Sequence, residues 1–183
     1  MQTKVQIKNI DGLQDYNNTW QDMHDFTVNR DETTPDTIWQ LEHHPVFTLG
    51  QAGKEEHILH RSNIQTSNIP IVKTDRGGQV TYHGPGQLVN YLLIDIKRKD
   101  LGIRQLVTNI EETIIDYLKS YTIIGHRLEK APGIYVDNAK VCAIGLRVKK
   151  GCTYHGISFN VNMDLAPFNY INPCGYEGLK IVQ

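Results

Sequence analysis

The cysteine thiols are the side chains in this chain best suited to covalent chemistry. Three cysteines are present, Cys142, Cys152 and Cys174. Cys142 lies in the apolar run Val141-Cys142-Ala143-Ile144, where a buried, inert thiol is the usual outcome. Cys152 follows the turn-like Lys149-Lys150-Gly151 and is expected to be partly exposed. Cys174 stands between Pro173 and Gly175, and a loop fixed by proline and opened by glycine can present a sulfur to a substrate carbonyl. A thiol with an ordinary pKa of about 8.5 is mostly protonated at neutral pH, so a nucleophilic cysteine needs a nearby cation or base. His83, His155 and Lys140 are the candidates. Spacing alone does not bring any of them to Cys174. A free thiol and a solvated turn lysine are the plainer readings of Cys174 and Lys140.

The densest polar segment is Arg76-Gly77-Gly78-Gln79-Val80-Thr81-Tyr82-His83-Gly84-Pro85-Gly86-Gln87. Its glycines allow close approach of a ligand to the main chain, and its side chains suit the rim of a pocket. The Lys-Ser/Thr ending of a phosphate loop and the dinucleotide glycine spacing are both missing. The plainer reading is a glycine-rich hairpin with exposed polar side chains. Eight histidines raise the question of a metal, with His57 and His60 three apart and His43 beside His44. No carboxylate or Cys-x-x-Cys pattern completes a ligand set, so no metal is expected.

These groups must be held by short strands and two helices. Met1 to Ile10 reads as a strand with Val5, Ile7 and Ile10 inward. Asp11 is placed to cap a helix carrying Leu13, Tyr16, Trp20 and Met23. After a polar turn at Asp31 to Pro35, strands are expected at Thr37–Leu41, Val46–Leu49 and Ile69–Lys73, the last two separated by a polar loop from Gly50 to Asn68. Leu88 to Ile96 is an apolar, β-branched run and reads as a buried strand. Ile103 to Leu118 repeats its apolar residues at the helical period. Asp137-Asn138 separates strands at Ile134–Val136 and Val141–Val148, and Lys149-Lys150-Gly151 leads to another at Ile157–Val161. The tail Asn172-Pro173-Cys174-Gly175 is a loop. Strands outnumber helices and are joined by short turns, so the expected class is α+β with a mainly antiparallel sheet.

Composition limits the function classes. The chain has 183 residues, enough for one compact domain, with 39% hydrophobic and 21% charged residues. A net charge of -1 argues against a phosphate-driven nucleic-acid binder. No apolar run reaches about 18 residues and no signal-peptide pattern is present, so no membrane span is expected and a cytoplasmic location is. An odd number of cysteines suits free thiols in a reducing compartment.

Several segments together resemble the octanoyltransferase (lipoate-protein ligase B) family of lipoate biosynthesis. They are Glu42 to Gly50, Asp75 to Gln87, Pro132 to Val136, Lys140 to Val148, Thr153 to Gly156, Phe159 to Val161, Asp164-Leu165 and Pro173 to Gly175. They run from about residue 42 to the end in the family's order. The resemblance implies one domain over residues 1–183 with the biotin/lipoate protein ligase-like fold, a mixed sheet flanked by helices. Cys174 matches the acyl-thioester nucleophile. Lys140 matches the lysine that promotes the thiolate and later takes a proton from the acceptor amine. Arg76, Gly77, Gly78, Gln79, Val80, Thr81, Tyr82 and His83 match one substrate-binding segment. Ala143, Ile144 and Gly145 match a second, and Gly156, Ile157 and Ser158 a third. Cys142 and Cys152 stand where the family usually has aliphatic residues. The chain stops at Gln183, eight residues past Gly175 and short of the C-terminal helix with which family members commonly continue.

The implied reaction moves an octanoyl group from acyl carrier protein to a lysine of a lipoyl domain, on 2-oxoacid dehydrogenase E2 subunits or the glycine cleavage H protein. The donor is already a thioester, so no ATP and no other cofactor is expected. Apolar runs beside the glycine segment are expected to form an acyl tunnel, each buried CH₂ contributing about 0.8 kcal/mol. Two alternatives stand beside this reading. One is an ATP-dependent lipoate ligase on the same fold, which needs no catalytic cysteine; the other is a non-catalytic module that binds acylated carrier.

Overall fold

The computed structural model describes residues 4–59, 64, 67–129 and 131–183. Met1 to Thr3 of the expected first strand, residues 60–63 and 65–66 of the expected polar loop, and with them His60, lie outside the described residues.

Among the described residues nine strands are present: β1 (Gln6–Gln14), β2 (Thr37–His43), β3 (Val46–Leu49), β4 (Ile71–Lys73), β5 (Val80–His83), β6 (Gln87–Leu93), β7 (Gly133–Val136), β8 (Ala139–Lys149) and β9 (Cys152–Asn160). Two helices pack on them, α1 (Tyr16–Asn29) and α2 (Ile103–Ser120). The larger sheet has the order β1-β2-β6-β9-β8-β7, and the smaller β4-β3-β5. Only β1 with β2 and β3 with β4 run parallel; the other neighbours are antiparallel. This is the expected α+β class with a mixed, mainly antiparallel sheet.

Alternation along β6 explains the layering. Val89, Tyr91 and Leu93 pack with Met23 of α1 and with Trp39 and Leu41 of β2. Leu92, pointing the other way, joins Leu106, Ile110 and Leu118 of α2 and Ile134 and Val141. A helix therefore covers each face of the larger sheet. A third cluster, built on Phe47, Val80 and Tyr82, packs the smaller sheet against Met163, Phe168 and Ile171 of the C-terminal segment.

Two hairpins set the register around the site. Val136 pairs with Ala139, leaving Asp137 and Asn138 at φ 47 and 63. Positive φ at both central residues gives a turn whose twist matches its strands, as Asp-Asn predicts. Lys149 pairs with Cys152 across the second two-residue turn.

The structure corrects three local expectations. β1 continues to Gln14, so Leu13 is a strand residue, and Asp15 rather than Asp11 caps α1 by accepting from the Asn18 N–H at 2.9 Å. Val5 and Ile7 are exposed, because β1 is the outermost strand; Ile10 alone of the three packs on the core. Cys152 is buried, because Ile96 and Lys97 both donate to the Gly151 carbonyl and fold that segment over the turn. Among the described residues no helix is long and apolar enough to cross a membrane.

Candidate active site

Lys140 enters β8 directly after the Asp137-Asn138 turn, and its side chain is buried. Its Nζ donates to Cys174 Sγ at 3.0 Å and to the Pro132 carbonyl at 3.1 Å, and lies 5.1 Å from the centre of the Tyr135 ring. Cys174 sits in a single turn of 3-10 helix, Pro173–Gly175, with φ 58 and ψ 14. That left-handed conformation costs a non-glycine residue on the order of 1–2 kcal/mol. What returns the tail to β8 is a backbone strap: the Lys140 N–H donates to the Lys180 carbonyl at 2.8 Å, and the Val182 N–H donates to the Lys140 carbonyl at 3.0 Å.

Burial pulls the Lys140 ammonium down, but the Cys174 sulfur and the Tyr135 hydroxyl outweigh it, so Lys140 titrates above its ordinary value. Cys142 is enclosed on the neighbouring face of the sheet, and burial pushes its thiol up to about 12. It is therefore inert near neutral pH.

Beside the pair lies a cavity of about 480 Å³. Of the residues expected to bind substrate, Arg76, Gly77, Gly78, Gln79, Val80, Thr81, His83, Ala143, Ile144, Gly145, Gly156, Ile157 and Ser158 all line it, with Lys140 and Cys174. Tyr82 is the correction. β5 alternates, so Tyr82 turns away from Thr81 and His83 and packs its ring on Phe47 and Phe168. Gly156 is required by close approach: a Cβ there would stand 2.0 Å from the Asn90 carbonyl oxygen of the adjacent strand.

Arg76 is buried and donates to the carbonyls of Thr48, Gly77 and Gln79 at 2.7, 3.0 and 2.8 Å, and to Thr48 Oγ1. Its guanidinium pins the glycine loop to β3. His83 lies between Gln87 Oε1 at 2.7 Å and Thr48 Oγ1 at 3.3 Å. His155 is paired with Asp75 Oδ1 at 2.9 Å. Of the three candidate partners for Cys174, Lys140 is the one hydrogen-bonded to the sulfur.

The cavity has apolar walls and a polar floor. Val89, Ile103, Val107, Ile144 and Ile157 supply the walls. Tyr16, His83, Tyr91 and His155 supply the floor. Tyr91 donates to His43 Nε2 at 2.6 Å, and His43 Nδ1 donates to the Gln14 carbonyl at 3.0 Å. Burial holds His43 down to about 4 and, with the positive fields of His43 and Arg76, His83 down to about 3. Both rings are neutral near pH 7. Asp75 accepts from Trp20, Tyr154 and His155. Burial opposes its ionisation, but these donors hold it well below the usual carboxylate range. The sequence singles out neither Tyr91 nor Val107, and it places Tyr16 only on a helix face and Asp75 only at the head of a segment resembling the family. Tyr91 was signalled only by its alternation with Val89 on β6. Among the described residues no group of three or more His, Cys, Asp and Glu side chains is placed to hold a metal ion.

Comparison with known proteins agrees with this geometry. The profile of the lipoyl protein ligase A/B catalytic domain matches residues 15–179. A protein named octanoyltransferase from Aliivibrio fischeri is 55% identical over 183 residues, covering 100% of this chain and 79% of its own length. The octanoyltransferase of Vibrio campbellii is 56% identical, again over 100% of this chain and 80% of its own. Among solved structures, a putative lipoate protein ligase from T. acidophilum with bound lipoic acid superimposes with a TM-score of 0.72 at 15% identity, covering 100% of this chain and 77% of that one. A lipoate-protein ligase A bound with ATP gives 0.71 at 14% identity, over 93% and 71%. At such identities the structures speak for the fold alone, and they share it. Profile and close relatives together make the chain an acyltransferase that belongs to the lipoyl protein ligase A/B catalytic-domain family, on its octanoyltransferase branch.

Proposed function

We propose that this chain, as one catalytic domain, carries an octanoyl group from the phosphopantetheine thioester of acyl carrier protein to a lysine of a lipoyl domain, through a thioester on Cys174. The acceptors would be the lipoyl domains of 2-oxoacid dehydrogenase E2 subunits and the glycine cleavage H protein. The observation that carries this reading is the 3.0 Å contact of Lys140 Nζ with Cys174 Sγ at a cavity with apolar walls.

In the first half-reaction the Cys174 sulfur attacks the donor carbonyl. A new C–S bond forms, the C–S bond to pantetheine breaks, and the departing thiolate takes a proton from the Lys140 ammonium. The exchange of one thioester for another is nearly isoenergetic, so neither ATP nor a metal is needed to drive it. Acylation also removes the sulfur charge that raised Lys140, and burial then favours the neutral amine. In the second half-reaction Lys140 takes one proton from the acceptor ammonium, whose pKa in water is about 10.4. The freed amine attacks the Cys174 thioester. As the tetrahedral adduct collapses, the sulfur leaves as a thiolate beside the restored Lys140 ammonium. The amide nitrogen gives its second proton to solvent, so each turnover releases one proton.

Intact-mass analysis after incubation with octanoyl-acyl carrier protein tests this directly. An octanoyl adduct mapping to the peptide around Cys174 is expected, and it should disappear on adding a lipoyl domain. Transfer that survives Cys174→Ser, or that requires ATP, would sink the reading.

A further inference from the structure

Behind Lys140 stands a peptide unit that is itself held by a carboxylate. The Pro132 carbonyl accepts from Lys140 Nζ at 3.1 Å. On the opposite edge of the same peptide plane, the Gly133 N–H donates to Glu111 Oε1 at 3.1 Å. The two groups of a trans peptide point in opposite directions. Glu111, the Pro132–Gly133 peptide, Lys140 and Cys174 therefore form one hydrogen-bonded line.

Glu111 is only 8% exposed, on α2 among Leu106 and Ile110. A buried carboxylate needs partners. Besides Gly133 it has Arg127, whose Nε donates to Oε2 at 3.1 Å. Arg127 also pairs with Glu112, so among the described residues two carboxylates share one guanidinium. Gly133 is obligatory in the line. Its φ is +129, and a Cβ there would lie 2.5 Å from the Cys142 carbonyl oxygen and 3.3 Å from Lys140 Cε.

We propose that Glu111 is a positioning residue for the thiol–amine pair, acting through the Pro132–Gly133 peptide to hold the Lys140 ammonium on Cys174. A carboxylate bonded to the N–H end of an amide deepens the negative charge at its carbonyl end. That carbonyl both aims Nζ at the sulfur and stabilises its charge. The other titratable groups facing the line are Tyr135 beneath Nζ, Cys142 on the neighbouring face, Tyr176 near Tyr135, and Arg76 from the glycine loop. Neither Glu111→Gln nor Arg127→Met replaces any of these side chains. The inference rests on the Cys174 thioester reading.

The test compares Glu111→Gln with Arg127→Met in the full chain. Each protein is octanoylated with an octanoyl thioester of a small thiol and its mass verified. Single-turnover transfer to a lipoyl domain is then followed from about pH 6 to about pH 10. Glu111→Gln is expected to move the rising limb to lower pH by about half a unit, because the amine is freed more readily, and to slow resting-enzyme acylation about threefold. Arg127→Met, which unmasks the Glu111 charge, is expected to move the limb to higher pH. A packing defect would not shift the two in opposite senses. A limb unmoved in both, or displaced the same way in both, overturns the proposal. Should Glu111→Gln fail to fold, the Arg127→Met limb alone decides. If the unsubstituted chain gains no adduct on Cys174, it is the thioester reading that fails instead.

Discussion

Lys140 Nζ and Cys174 Sγ, 34 positions apart in sequence, meet at 3.0 Å because the main chain of Lys140 is hydrogen-bonded on both its N–H and its carbonyl to the tail that follows the cysteine. The reactive side chains are thus aligned by backbone, and each can be perturbed from either end.

Lys140→Ala is expected to leave Cys174 able to accept octanoyl slowly, while transfer to the lipoyl domain falls by about 10²–10⁴-fold, the usual span for a lost general base. A pH–rate profile of the second half-reaction makes the decision. An unchanged profile in the variant would remove Lys140 from proton transfer.

Asn160→Ala cuts the strap from the sheet side. Asn160 Nδ2 donates to the Val182 carbonyl at 2.8 Å, and Asn160 Oδ1 accepts from Gln87 at 3.0 Å. Asn160 is buried, so a loss of about 1–3 kcal/mol in urea unfolding is expected. Alkylation of Cys174 should become less dependent on Lys140, read as a smaller effect of Lys140→Ala in the double variant. Additive effects would show that the strap does not hold the pair together.

Acid should weaken the fold earlier than carboxylate titration alone would. His43 and His83 are held near about 4 and about 3 by burial, against about 6.5 in an unfolded chain. Below pH 6.5 the unfolded chain binds protons that the folded one refuses. The stabilisation is whole above about pH 6.5 and declines as pH falls toward about 4. The slope approaches about 1.4 kcal/mol per pH unit for each ring. Urea midpoints at several pH values across that window measure it. A midpoint flat across the window would mean that the rings are not neutral and enclosed.

Val107 lines the cavity from α2, and its enlargement should shorten the acyl chain accepted. Val107→Phe is expected to lower octanoyl relative to hexanoyl transfer, by about fourfold for each methylene displaced, since each is worth about 0.8 kcal/mol. Competition between the two donors, scored by mass, checks it. An unaltered ratio would place the hydrocarbon elsewhere.

How much of this was readable beforehand depended on whether the signal was local. A helical period is local in kind: the repeat of Ile103, Leu106, Ile110, Ile114, Tyr117 and Leu118 places α2, found at Ile103–Ser120 against the expected Ile103–Leu118. Asp137-Asn138 likewise fixes its hairpin by its own backbone preference. The sequence points to Asp11 as the cap of α1, but pairing of β1 with β2 through Gln14 carries the strand past it, so the cap falls on Asp15. Cys174 and Lys140 were identified through the resemblance of their surrounding motifs. Their contact was not legible from spacing, since it depends on residues 180–182 running beside β8. Glu111 gave no sign at all: a glutamate in a helix is ordinary until its neighbour proves to be a peptide 22 positions away.

The φ of 58 at Cys174 has a consequence for how the sequence is maintained. Glycine would occupy that backbone basin without steric penalty. A chain with glycine at this position would be relieved of that strain, but it would leave the buried Lys140 ammonium without its sulfur partner and would be unable to carry an acyl group. The thiol is thus seated in a basin that glycine would enter more easily, and its bond to the Lys140 ammonium offsets part of the strain of sitting there.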